Sequence, residues 1–303
     1  MAIRSLADIE AFEAIPVETR WRGTNTYDLI CKSAAIFADR PALKYQTTAD
    51  LDEAPRIVTY RALLDAIHQT ANALRATGVS IGGVTAIVMP NLPETGVAMW
   101  GAQALGIVAP INPLLEPDAL RDIMNEAETE ALVVEGPVAG SDIWGKTSAI
   151  LDDVPGLKIV LQVNPGSKGD VAPQTTSAGV QILDFDTAIA AQRKEGLDFD
   201  RTITPDDIAA YFHTGGTTGR PKLARHSHAN QVHTASFMSD FLGYDENTVA
   251  IGGLPLFHVN SFFNAGLNPL ACGGHSVYLT SAGFRDRNVI ANFWKLLEKY
   301  KAT

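Results

Sequence analysis

The sequence predicts an α/β protein in which parallel sheets are covered by helices on both faces. Three observations point there. Short apolar runs of strand length alternate with longer segments of helical periodicity through most of the chain. Those runs carry few charges, as strands buried on both faces do in a parallel sheet. A loop dense in glycine and threonine follows one run, residues 208–212, at the strand end where open α/β sheets hold ligands.

The elements follow in order. Residues 61–77 set Leu63, Leu64, Ile67, Ala71 and Leu74 on one helical face, and Gly78 can close the C-terminus. Residues 84–89, bounded by glycine and proline, read as a buried strand. Residues 93–105 read as a helix, with Pro93 in the first turn and Gly106 beyond the end. A strand at 107–111 precedes a helix at 117–127, whose acidic start suits the helix dipole. Residues 131–134, 143–152 and 157–163 continue the strand, helix, strand rhythm. Residues 164–179, rich in Gly, Pro, Ser and Thr, read as an exposed loop, and 47–55 as a smaller polar insertion. After the strand 208–212 come a helix (229–242), a strand (248–252), a helical stretch (262–271), a strand (276–279) and one amphipathic helix (286–300). There is no internal repeat and no coiled-coil heptad.

Composition narrows the function. A chain of 303 residues is long enough for two packed units. A net charge of −10 with no basic run argues against a nucleic-acid surface. The start carries Asp8, Glu10, Glu13 and Glu18, unlike a signal peptide. The longest apolar region, 97–115, is broken by Gly101, Gly106, Pro110 and Pro113, so it reads as helix, turn and strand, with no integral membrane segment. Cys31 and Cys272 stand far apart, which excludes a disulfide framework and leads us to expect a cytoplasmic protein.

Residues 211–225 read Y-F-H-T-G-G-T-T-G-R-P-K-L-A-R. Gly215, Gly216 and Gly219 let the backbone take positive φ and turn N–H groups toward one point. Thr214, Thr217 and Thr218 add hydroxyl donors, and Lys222 adds a mobile positive charge. This combination suits a polyphosphate. A Walker loop requires G-x-x-x-x-G-K-[ST], but five residues beyond Gly215 or Gly216 stand Arg220 and Pro221. A dinucleotide fingerprint fails because Thr214 occupies the place of its first glycine. No metal ligand is assigned: His226, His228 and His233 lack both a cysteine and a helical His-x-x-x-His pair. Asp152-Asp153 and Asp206-Asp207 read as caps or solvated turns. Ser227 and Ser239 lack the G-x-S-x-G elbow of a hydrolase.

The loop resembles the signature of the adenylate-forming superfamily, whose usual form is [YF]-[TS]-S-G-T-T-G-x-P-K-G-V. Gly216, Thr217, Thr218, Gly219, Pro221 and Lys222 match, while Gly215 replaces the common serine and Leu223-Ala224 the common Gly-Val. Residues 254–260, L-P-L-F-H-V-N, resemble the family's P-x-F-H segment at a similar spacing downstream. Residues 58–63 resemble its T-Y-x-E-L segment. Residues 101–115 resemble its G-A-x-x-x-P-x-N-P-x-L segment, and the likeness extends from about Thr26 to Thr303.

The resemblance implies an acyl-CoA synthetase-like N-terminal domain, layered α/β/α/β/α and ending before the family's β-barrel subdomain and C-terminal lid domain. Residues 80–235 would form a first sheet subdomain ending in the phosphate loop, and 20–79 with 236–303 part of a second. The implied reaction is ATP-dependent activation of a carboxylic acid, fatty or aryl-alkanoic, to an acyl-adenylate with release of pyrophosphate, then thioester formation with CoA. Mg²⁺ would bridge phosphate oxygens, and a homodimer is compatible with the family. Thr214, Gly215, Gly216, Thr217, Thr218, Gly219 and Lys222 would grip the phosphates, Lys222 stabilising charge on the leaving pyrophosphate. His258 would line the carboxylate pocket and act in catalysis, with Asn260, Phe262, Phe263 and Gly266 on the pocket wall. The family's later motifs, an aromatic-Gly-x-T-E segment, a T-G-D aspartate, a hinge and a C-terminal lysine, are not found. We therefore expect the N-terminal portion of a larger ligase, with little or no adenylation by residues 1–303 alone. Two alternatives stay open: an adenylating enzyme that loads a carrier protein, and a non-catalytic nucleotide-binding module.

Overall fold

The computed structural model describes residues 4–165, 172–214 and 222–303. In chain order the strands are β1 (Pro41–Gln46), β2 (Arg56–Thr59), β3 (Val84–Val88), β4 (Ile107–Pro110), β5 (Thr129–Glu135), β6 (Ile159–Val163), β7 (Gln174–Thr175), β8 (Gln181–Asp184), β9 (Ile208–Thr214), β10 (Lys222–Ser227), β11 (Val249–Gly252) and β12 (His275–Leu279). They form an eight-stranded sheet, β10-β9-β4-β3-β5-β6-β8-β7, and a four-stranded sheet, β11-β12-β1-β2.

The interior of the larger sheet is parallel from β9 to β8. Antiparallel pairing is confined to its edges, β10 on β9 and β7 on β8, a common arrangement in open α/β sheets. Alternate residues feed two cores. On β5, Ala131 and Val133 join the one shared with helices Tyr60–Ala76 and Pro93–Leu105, while Leu132 and Val134 join the one under Pro117–Glu126 and Ile143–Ser148. The first helix pair packs backbone-close, since a Cβ on Gly101 would lie 2.6 Å from Thr70 Cβ.

In the smaller sheet β1 and β11 run parallel to β12, and β2 runs antiparallel to β1. Several elements differ from expectation. The helix expected over 286–300 is two, Arg287–Ala291 and Phe293–Tyr300. At the break the Asn292 amide donates to Ala49 O at 3.2 Å, so the side chain competes with helical continuation. The helical stretch expected from 262 begins at Val259 and contains a π-helical turn, Phe263–Leu267. Pro269 has no N–H to give the carbonyl four residues back, and Ala265 O instead accepts from the Tyr278 hydroxyl at 3.1 Å.

The two sheets meet at their C-terminal ends around Asn91, just beyond β3. Its side-chain amide donates to Leu254 O at 2.9 Å, its Oδ1 accepts from Leu256 N at 2.9 Å, and its backbone N–H donates to Ser281 O at 3.2 Å. One buried side chain thus ties the segments after β3, β11 and β12. Among the described residues no helix is long and apolar enough to cross a membrane.

Candidate active site

β9 and β10 form the stems of a hairpin in which Thr214 and Lys222 are direct partners. The Thr214 hydroxyl donates to Lys222 O at 3.3 Å. Both residues are exposed, and the Lys222 ammonium has no partner among the described residues. Gly215, Gly216, Thr217, Thr218 and Gly219 lie outside the described residues. The sheet therefore delivers a hydroxyl and a free cation side by side, about one strand spacing (~4.8 Å) apart.

One residue back along β9, His213 Nε2 accepts from the Asn112 N–H at 3.1 Å. That bond places the ring proton on Nδ1 and requires a neutral imidazole. Burial, and then the neighbouring His258, hold the His213 pKa below the ordinary histidine value. Its ring stacks on Phe257, centroids 6.3 Å apart and planes 21° from parallel. On β10, burial likewise lowers the His226 pKa, and its ring sits between Phe212 at 4.8 Å and Phe263 at 6.2 Å.

His258 is exposed and caps the helix Val259–Phe262, its Nδ1 accepting from Asn260 N at 3.2 Å. The cap leaves Nε2 as the ring's donor. Asn260 is exposed, and its Oδ1 accepts from Asn264 Nδ2 at 3.1 Å. Phe262 is fully buried, with Trp100 at 4.9 Å, Phe212 at 5.2 Å and Phe263 at 5.3 Å between ring centroids. A Cβ on Gly266 would lie 3.4 Å from Trp100 Cζ2. Thr214, Lys222 and His258 thus gather around His213 and Phe257, whereas Phe262, Phe263 and Gly266 belong to a packed aromatic cluster behind them.

Sequence reasoning assigned no role to His213, Asn112, Asn91 or Arg285. The last two line a narrow crevice with Met89, Phe257 and Ser281, where the ends of the two sheets meet. None of the four carries a local signal, because tertiary folding alone brings them to the site.

A family model for AMP-binding enzymes matches residues 31–303. The marinolic acid–CoA ligase of a Pseudoalteromonas species is 28% identical over 305 residues, covering 99% of this chain and 45% of the relative. The long-chain-fatty-acid–CoA ligase of Bacillus subtilis is 27% identical over 259 residues, covering 81% and 44%. The crystal structure of an anthranilate CoA ligase in complex with anthranoyl-AMP shares the fold, with a TM-score of 0.76 at 21% identity over 96% of this chain and 50% of that one. The chain spans about half the length of these relatives.

Proposed function

The chain belongs to the family of AMP-binding enzymes, and from that premise we propose that it supplies the phosphate-gripping part of a carboxylate–CoA ligase. The observation that carries this reading is the β9–β10 hairpin, with Thr214 paired to an unpartnered Lys222 at the ligand end of a parallel sheet.

The first reaction joins a carboxylate oxygen to the α-phosphorus of ATP and breaks the bond to the β-phosphate, so negative charge gathers on pyrophosphate. Lys222, the Thr214 hydroxyl and residues 215–219 would meet that charge with donors already in place. Nε2–H of His258 would donate to the carboxylate. His213, held neutral by burial and by Asn112, would act as a fixed wall beside Phe257. In the second reaction the CoA sulfur takes the acyl carbon and AMP leaves. On this reading residues 80–235 present the phosphates, while 20–79 with 236–303 present the acid, fatty or aryl-alkanoic. Among the described residues no three His, Cys, Asp or Glu side chains converge to hold a cation, so no step is drawn through Mg²⁺. The free Cys31 and Cys272 favour a cytoplasmic setting.

Calorimetric titration of residues 1–303 with ATP tests the proposal. We expect binding, weakened about tenfold by Lys222→Ala. Pyrophosphate exchange should stay near background, since the chain carries no T-G-D aspartate. An affinity for ATP that Lys222→Ala leaves unchanged, or no ATP binding at all, would sink it.

A further inference from the structure

The turn that follows β12 carries backbone strain. Thr280 is β-branched and sits at φ +52°, a left-handed conformation that such residues rarely adopt and that persists where surrounding structure imposes it. It is 4% exposed, and its hydroxyl has no partner among the described residues. Thr280 N donates to Gln46 O at 2.8 Å, and Ser281 O accepts from Asn91 N. Gly283, at φ +57°, lies so close to Gly253 that an added Cβ would stand 2.1 Å from Gly253 O. Phe284 N donates to the same carbonyl at 2.8 Å. Neighbours on both sheets therefore hold the turn rigidly.

What the turn presents is Arg285. Its guanidinium is exposed and lines the crevice with Asn91, Phe257 and Ser281. It has no hydrogen-bond or ionic partner among the described residues, whereas Arg22, Arg56 and Arg121 are each paired with a carboxylate. A free guanidinium on a strained, pinned turn is a pre-aimed fork for an oxyanion. In a chain of net charge −10 it is also a local exception to the prevailing field.

We propose that Arg285 recognises the thiol substrate by binding a phosphate group of CoA. This rests on the ligase reading above. The ATP phosphates belong, on that reading, to the β9–β10 hairpin of the larger sheet. Arg285 follows β12 of the smaller sheet and shares with the acid side the ring of Phe257, so it addresses a second, separate anion.

The test is calorimetric titration of residues 1–303, wild type, Arg285→Ala and Arg285→Lys, with CoA, dephospho-CoA, pantetheine and ATP. Arg285→Ala should weaken CoA about tenfold while leaving ATP, pantetheine and the thermal midpoint unchanged, and Arg285→Lys should recover part of the loss. Dephospho-CoA separates the sources: insensitivity of its binding to Arg285→Ala assigns the 3′-phosphate, and an equal loss assigns the pyrophosphate bridge. Unchanged CoA affinity in Arg285→Ala, or an equal loss for ATP, overturns the assignment. A wild type that binds ATP but not CoA also overturns it and leaves the ATP site standing. A wild type that binds neither removes both.

Discussion

Asn91→Ala should destabilise the protein by about 2–3 kcal/mol. The side chain is 4% exposed and makes two hydrogen bonds at 2.9 Å, to Leu254 O and from Leu256 N. Their loss is unequal. Leu254 O keeps a second donor, the Ser261 hydroxyl at 2.9 Å, so losing the Asn91 amide costs only the net value of one bond, about 1 kcal/mol. Leu256 is 3% exposed, and its N–H would be left buried without an acceptor, at about 1–2 kcal/mol. Urea unfolding followed by tryptophan fluorescence reads the change directly. Asn125→Ala is the comparison: it removes a single exposed bond, Asn125 Nδ2 to Asp153 O, and should fall below about 1 kcal/mol. ATP affinity should not change in Asn91→Ala, because the hairpin lies on β9 and β10. An Asn91→Ala midpoint indistinguishable from wild type would mean that the 254–256 segment holds its place without this side chain, and the reasoning would fail.

Two further outcomes follow from packing and titration. Gly101→Ala drives a methyl to within 2.6 Å of Thr70 Cβ and 2.7 Å of its Cγ2, so it should cost about 1–3 kcal/mol by overpacking. Thr70→Ser in the same chain should restore part of that, and a thermal midpoint unmoved by Gly101→Ala would contradict so close a helix contact. His228 is fully buried, its Nδ1 is held by Thr26, and burial, then Arg201, lower its pKa to about 4. The unfolded chain binds the proton first as pH falls, so this contribution is intact above about pH 6.5, is lost between about 6.5 and 4, and is flat below. The full loss is at most about 3 kcal/mol. Stability measured from pH 7 to 4 should decline less steeply in His228→Asn than in wild type, and parallel curves would rule His228 out.

How far the sequence could be read follows from where each signal resides. β3 is buried at every position and β5 nearly so, and such runs announce themselves as central strands. β10 does not, because its K-L-A-R-H-S is only half-covered at the sheet edge. It was passed over between loop and helix, and with it the hairpin that sets Thr214 against Lys222. β1 was missed for a related reason. Its apolar positions gain their meaning only from β12. The phosphate loop and residues 254–260 carry their chemistry in local residue order, so they were legible. Asn91, Asn112, His213 and Arg285 act through partners far along the chain, and no window of sequence contains both ends of those contacts.

The register of the smaller sheet has a consequence for biosynthesis. Leu43 on β1 pairs with Ser276 on β12, roughly 230 residues later in the chain. At translation rates of about 5–20 residues per second, β1 waits on the order of ten to fifty seconds for that neighbour. Ala42, Leu43 and Tyr45, buried in the finished protein, are without it throughout that interval. The nascent chain thus exposes an adhesive segment near its start until almost the last of these residues is made. Any shorter piece that stops before His275 keeps that segment uncovered permanently, and should precipitate or bind chaperones where residues 1–303 do not.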